Sequence, residues 1–296
     1  IRLYNQAMDN IANDIARQYA SYAKKEGMSL DAAYTKITKF DADSFRDKAR
    51  EYVKNRDFSD EANEQLRAYN LKIRTSRLQL MKNEILLETV DLANQENKML
   101  EQRLNEVFLE ELNRQSTILG LNKATREAVR KKMGNIVNGD FHGATFSDRI
   151  WANQAQLHST LANGLQETIV QGRGYKERTK FLKASMSDNG KENALFNAFR
   201  LEKTETSRVF SSAALESYRQ GGFGQYIWIA EIDDRTCETC QALDGVIFDI
   251  TSNTTGGLDM PPVHPLCRCT TAAYEDREKI EIAFDKLDEA LDDEWD

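Results

Sequence analysis

From Met28 to Leu119 the chain runs for 92 consecutive residues with neither glycine nor proline. Glycine costs a helix interior about 1 kcal/mol and proline about 3, so a run of this length favours long helices over turns and short strands. Within it, "SDEANEQLRAYN" at 59–70 offers a start: Ser59 as the cap, then Asp60 and Glu61 against the positive end of the helix. From there Leu66, Tyr69, Ile73, Leu80, Leu87, Leu100, Leu104, Val107 and Leu112 supply core faces almost to Gly120. The apolar stripe thins at 92–99, which allows a bend or break there. If unbroken, about 50 residues would make a rod of about 75 Å, which is an arm or a bundle and not a compact enzyme domain. Upstream, Tyr4, Met8, Ile11, Ile15 and Tyr22 predict a helix over 2–25, with Gly27 placed to end it and Ser29 to open the next.

Beyond Gly120 the glycine-punctuated "MGNIVNGDFHGATFSDRIWANQ" re-enters a helix, with Ser147 as cap, Asp148 behind it, and Ile150, Trp151 and Leu157 facing inward. "GLQETIVQGRGYKERTKFLKA" reads as a helix ended at Gly172 or Gly174 and followed by another. "KENALFNAFRLEKTETSRVFSSAALESYRQGG" is a further long helix stopped by Gly221–Gly222. Only after residue 224 does the period change to two. "QYIWIAEI", "GVIFDI" and "CRCTTAAY" are then the strands of a small sheet. The fold class expected is mainly α with a small C-terminal α+β domain: long N-terminal helices, then a short antiparallel sheet. The corresponding division is 1–119 as helical arm or bundle, 120–222 as helical domain, 223–274 as small β-containing domain and 275–296 as acidic tail.

The net charge of −8 belongs to that tail. Residues 275–296 hold 11 acidic and 3 basic side chains, while the other 274 residues carry 37 of each sign. Ile280, Phe284, Leu287 and Leu291 recur there at helical spacing, giving either a solvated amphipathic helix or an arm that docks on a basic partner. No stretch of 18 or more apolar residues occurs, so no membrane-spanning helix is expected. The first residues show no secretion signal, and without an oxidising compartment stable disulfides are disfavoured.

All four cysteines and all three prolines fall between residues 237 and 269. Cys237-Glu-Thr-Cys240 is followed, after 23 residues, by His264-Pro-Leu-Cys267 with the same spacing, and then by Cys269. Two such turns can deliver four ligands to one tetrahedral zinc. Five candidates compete for four positions: Cys237, Cys240, His264 and Cys267 are the favoured set, and all four cysteines are the alternative. The plain reading is a small core of reduced cysteines or a pair of disulfides. With no open ligand position evident, a metal here is structural, and it would contribute folding energy to a sheet too small to hold alone. A zinc deaminase requires a His-x-Glu element, and Pro265 and Leu266 follow His264 instead. No enzymatic centre is expected.

Two basic clusters remain. "KATREAVRKKM" contains Lys123, Arg126, Arg130, Lys131 and Lys132; "RGYKERTKFLK" contains Arg173, Lys176, Arg178, Lys180 and Lys183. Each is either a solvated helix face or a set of phosphate contacts to double-stranded DNA.

"RTCETCQALDGVIF…PPVHPLCRC" resembles the C-terminal signature of the phage Mu F-like, or phage head morphogenesis, proteins. "RLEKTETSRVFSSAALESYRQGG" resembles the helix preceding that signature, "FSDRIW" a mid-chain element and "RTSRLQLMKNEI" the N-terminal helical region. The resemblance implies a minor capsid protein of a tailed phage, present in few copies in the virion head near the portal and in the host cytoplasm during assembly. The partners it implies are portal protein, capsid or scaffold protein, and DNA, with roles in head assembly and in DNA packaging or ejection. Relatives of this kind can carry a toxin or enzyme domain after the signature; the sequence continues for 27 residues past Cys269, which leaves no room for one.

Overall fold

The computed structural model describes residues 2–27, 77–170, 180, 184, 194–250 and 259–275. In chain order they form α1 (Arg2–Glu26), α2 (Arg77–Ile118), α3 (Lys123–Arg130), α4 (Met133–Val137), α5 (Phe146–Val170), α6 (Ala194–Gln220), β1 (Gln225–Ile229), α7 (Glu238–Leu243), β2 (Ile247–Asp249) and β3 (Thr270–Tyr274). The fold is mostly helical with a small three-stranded antiparallel sheet near the C-terminus, as the change of period implies. The expected cap at Ser59, the stripe over Leu66, Tyr69 and Ile73, and the acidic segment beyond Glu275 lie outside the described residues.

By compactness the chain divides into two units. One comprises Ile1–Leu100 with Phe146–Leu201, the other Glu101–Thr145 with Glu202–Asp296. In the first, Tyr4, Ala7, Ile11 and Ile15 of α1 pack with Met81, Ile85 and Leu92 of α2 and with Leu157, Leu161 and Leu165 of α5. The helix α2 is continuous through 92–99, without the break that the thin stripe allows. Its 42 residues span about 63 Å at 1.5 Å per residue. The thin apolar stripe there is explained by polar side chains that bond to other helices. The Asn97 Nδ2 donates to Ser147 Oγ at 2.6 Å. Tyr4 OH donates to Glu96 Oε2 at 2.9 Å, and Gln154 Nε2 donates to both, at 2.7 and 2.8 Å. Ser147 therefore sits inside the first turn of α5, which begins at the buried Phe146, and it is not the cap expected of it.

Burial raises the Glu96 carboxyl above its ordinary value, against the lowering effect of the Tyr4 and Gln154 hydrogen bonds. A carboxyl raised in the folded state favours folding below its unfolded value, and that advantage is lost as pH rises through the folded one. Glu96→Gln is therefore expected to raise the melting temperature at pH 7. Its advantage over wild type should shrink as pH falls towards 4, read by thermal melts across that range.

The second unit is organised around α6 and the sheet, whose order is β2-β1-β3 with both pairings antiparallel. Alternation along β1 sends Tyr226 and Trp228 inward, both fully buried. Tyr226 packs with Ala214, Leu215 and Tyr218 of α6 and with Met260. The Tyr218 hydroxyl donates to the Thr271 carbonyl at 3.0 Å, which ties α6 to β3. Helix α6 ends where predicted, at Gly221 and Gly222, the latter at a φ of 85° that suits glycine. Arg208 and Glu205 are both buried and paired at 2.6 Å. The same guanidinium donates to the Ile136 and Val137 carbonyls at 2.7 and 2.9 Å, closing the C-terminal end of α4.

Candidate metal centre

Cys237 stands at the N-terminus of α7, a short helix that sequence periodicity did not reveal because six residues are too few to show a stripe. Its sulfur accepts from the Cys240 backbone N–H at 3.4 Å, so the C-x₂-C spacing becomes one tight turn with both sulfurs on one side. The facing arm is the approach to β3. There the Cys267 N–H donates to the His264 carbonyl at 3.2 Å. Leu266 adopts a φ of 62°, a left-handed conformation that an L-residue takes only under constraint. The Leu266 N–H is held by Thr204 Oγ1 of α6 at 3.2 Å. This second turn brings the His264 ring and the Cys267 sulfur to the side facing α7.

The ligand atoms fall into two triads that share Cys240. Cys237, Cys240 and His264 form one, and Cys240, Cys267 and Cys269 the other, each with all its atoms within 4.8 Å of one another. The His264 Nε2 lies 3.3 Å from Cys237 Sγ and 3.2 Å from Cys240 Sγ, and Cys240 Sγ lies 3.9 Å from Cys267 Sγ. A tetrahedral zinc with Zn–S of about 2.3 Å and Zn–N of about 2.0 Å requires separations of about 3.8 Å between sulfurs and about 3.5 Å between sulfur and nitrogen. These three separations lie within about 0.3 Å of those values, while the two triads share Cys240 without merging into one set of four. All four cysteines are free thiols, so the disulfide reading is not the arrangement seen.

Hydrogen bonding around the cluster points the same way. His264 Nδ1 is 2.9 Å from the Pro265 carbonyl, which can only accept. Nδ1 therefore donates there, and in the neutral ring Nε2 presents its lone pair to the two sulfurs, the arrangement usual for a metal-binding imidazole. The Trp228 Nε1–H is buried without a conventional acceptor. Its proximity biases the Cys269 thiol towards ionisation. Burial nevertheless dominates there and pushes the Cys269 thiol up to about 11. Burial and the neighbouring thiols likewise push Cys240 far up, whereas the Cys240 N–H and then His264 draw the exposed Cys237 down. Clustered thiols that resist ionising together become thiolates readily when a cation sits among them. The residues can hold a metal ion.

A feature not recognised in the sequence braces the two arms. Arg268, between Cys267 and Cys269, places its guanidinium on both carboxylate oxygens of Asp233, at 2.8 and 2.5 Å, and reaches Glu231 at 3.2 Å. Asp233 also accepts from the Arg235 N–H and from Thr236 Oγ1, fixing the turn that delivers Cys237. Arg268 foremost holds the Asp233 carboxyl well below the usual carboxylate range. "DDRT" before the first turn and Arg268 within the second were the signal available: opposite charges at the bases of both arms. Arg268→Ala is expected to speed metal loss to a chromogenic chelator by about tenfold with the fold intact. Arg268→Lys should recover only part of that, since an ammonium cannot span both oxygens.

Of the basic residues, the structure brings Lys123, Arg126, Arg130, Lys131 and Lys132 into one exposed segment across α3 and the start of α4. Lys180 is exposed on the other unit; Arg173, Lys176, Arg178 and Lys183 lie outside the described residues. Among the described residues, no helix is long and apolar enough to cross a membrane.

Residues 159–272, which include all five ligand candidates, match the family model for Phage Mu protein F like protein. Among curated proteins, the NAD(+)--arginine ADP-ribosyltransferase EFV of Enterococcus faecalis (strain ATCC 700802 / V583) is 25% identical over 181 residues. That stretch is 54% of this chain and 36% of the relative, so the chain spans little more than a third of the relative's length. No solved structure matches the chain.

Proposed function

We propose, from the match of residues 159–272 to the phage Mu protein F-like family, that this chain is a minor capsid protein that works in head morphogenesis at the portal. The family supports a phage head protein and a place in the virion. Portal contact, and a part in DNA packaging or ejection, are the finer reading. The observation that carries it is that the matched segment contains the complete cysteine and histidine cluster, built as a brace for a small sheet. We assign the ion as zinc, held by Cys240, Cys237, His264 and one of Cys267 and Cys269; zinc supplies cross-linking at this point and no chemistry beyond it. Long helices suit assembly, because each presents a continuous face to a neighbour over tens of ångströms.

The exposed basic segment from Lys123 to Lys132 favours a second role, sequence-independent contact with the phage genome. Its binding should fall steeply as salt rises. The relative named as an ADP-ribosyltransferase brings a third class. We assign the chain to assembly, because its one built cluster among the described residues is a thiol and imidazole set suited to gripping a metal. Purification of portal complexes from infected cells tests the reading. The chain is expected to co-purify with portal, and to transfer no label from NAD(+) to arginine-rich protein. Its absence from portal complexes, or turnover of NAD(+), would overturn the assignment.

A further inference from the structure

The sheet has two unlike faces. Its inner face carries the buried Tyr226, Trp228 and Thr271. Register places Ile247, Ile227 and Ala272 side by side on the outer face, with Ile229 in the next row. Ile229 and Ile247 are 41% and 40% exposed, two of the seven large exposed hydrophobics among the described residues, and the half-buried Ile227 lies between them. Exposed apolar side chains gathered in one place mark a contact surface, whereas singly scattered ones need no explanation. Among the described residues β2 is also an edge strand. Its backbone bonds to the β1 side are made at Val246 and Ile250, so the peptide groups of Ile247 face away from the sheet.

Charge selects the occupant. Residues 224–275 hold eight acidic side chains and two basic ones, and both basic ones, Arg235 and Arg268, are already paired with Asp233. A second copy would set acidic rim against acidic rim, and the strongly acidic 276–296 segment would do the same. We propose that this outer face binds an aliphatic segment flanked by lysine or arginine on another virion subunit. The inference rests on the assembly reading above and assigns its contact surface.

The test uses particles assembled with the full chain carrying a benzoylphenylalanine cross-linker in place of Ile247. After irradiation, the cross-linked peptide is expected to come from a different virion protein and to contain aliphatic residues beside lysine or arginine. Ile229→Asp with Ile247→Asp should retain the metal content of the wild type and lower incorporation roughly tenfold or more, as loss of central apolar contacts does. Cross-links confined to residues 276–296, to a second copy or to an acidic segment would overturn the surface. Normal incorporation of the double variant would also overturn it while leaving the assembly reading intact. A wild-type chain absent from particles would overturn both.

Discussion

Removing the metal is expected to melt the sheet and its cysteine arms while leaving the helical first unit folded. The core beneath the cluster is small: Trp228, Ala230, Cys240, Cys267 and Cys269, with Leu243, Phe248 and Val263 against it. Beyond the contacts of Tyr226 with α6, the Trp228 end of the sheet has only this small core to fix it, and structural zinc in small domains contributes about 10–16 kcal/mol of apparent binding energy at neutral pH. Chelation should therefore move Trp228 from full burial into water, seen as a red shift in emission, with most of the far-ultraviolet helical signal kept. Substitutions should follow the geometry. Cys240→Ser, which removes the ligand common to both triads, should be the most damaging. Cys237→Ser and His264→Ala should each weaken binding less. Of Cys267→Ser and Cys269→Ser, one should lose the metal and the other retain it, which identifies the fourth ligand. Equal tolerance of all five substitutions would contradict the arrangement.

Arg208→Ala is expected to be the most destabilising substitution away from the metal. It would strip Glu205 of its buried cationic partner and remove the donors held by the Ile136 and Val137 carbonyls. Breaking a buried ion pair from one side costs about 3–5 kcal/mol, and the loss of the guanidinium donor at the Val137 carbonyl adds to it, whereas Ile136 keeps the Gly139 N–H. Arg208→Lys should rescue poorly, since one ammonium cannot reach the carboxylate and both carbonyls together. Urea denaturation reads the loss as a lower midpoint at unchanged slope; a shift worth less than about 1 kcal/mol would show the pair to be peripheral.

The legible parts of the fold were those set by local rules. Glycine placement marked the C-terminal ends of α1 and α6, and the change of period after residue 224 marked the sheet. The continuity of α2 was not legible. Residues 92–99 look polar in isolation, and the partners of Glu96 and Asn97, namely Tyr4, Gln154 and Ser147, lie at least 50 positions away. The cysteine and histidine spacing pointed directly to the cluster, because knuckle geometry is local. Its sharing of Cys240 between two triads and the Arg268–Asp233 brace depend on the packing of one arm on the other, which spacing does not encode. The unit boundaries near residues 100 and 201 fall inside α2 and α6, where no glycine or proline marks them.

The central claim is that a metal ion closes the C-terminal sheet, and elemental analysis of the reduced, natively folded full chain tests it most directly. One zinc per chain is the predicted result, with its release by chelator accompanied by exposure of Trp228. A folded protein that contains no metal, and whose four thiols react freely without loss of structure, would contradict it.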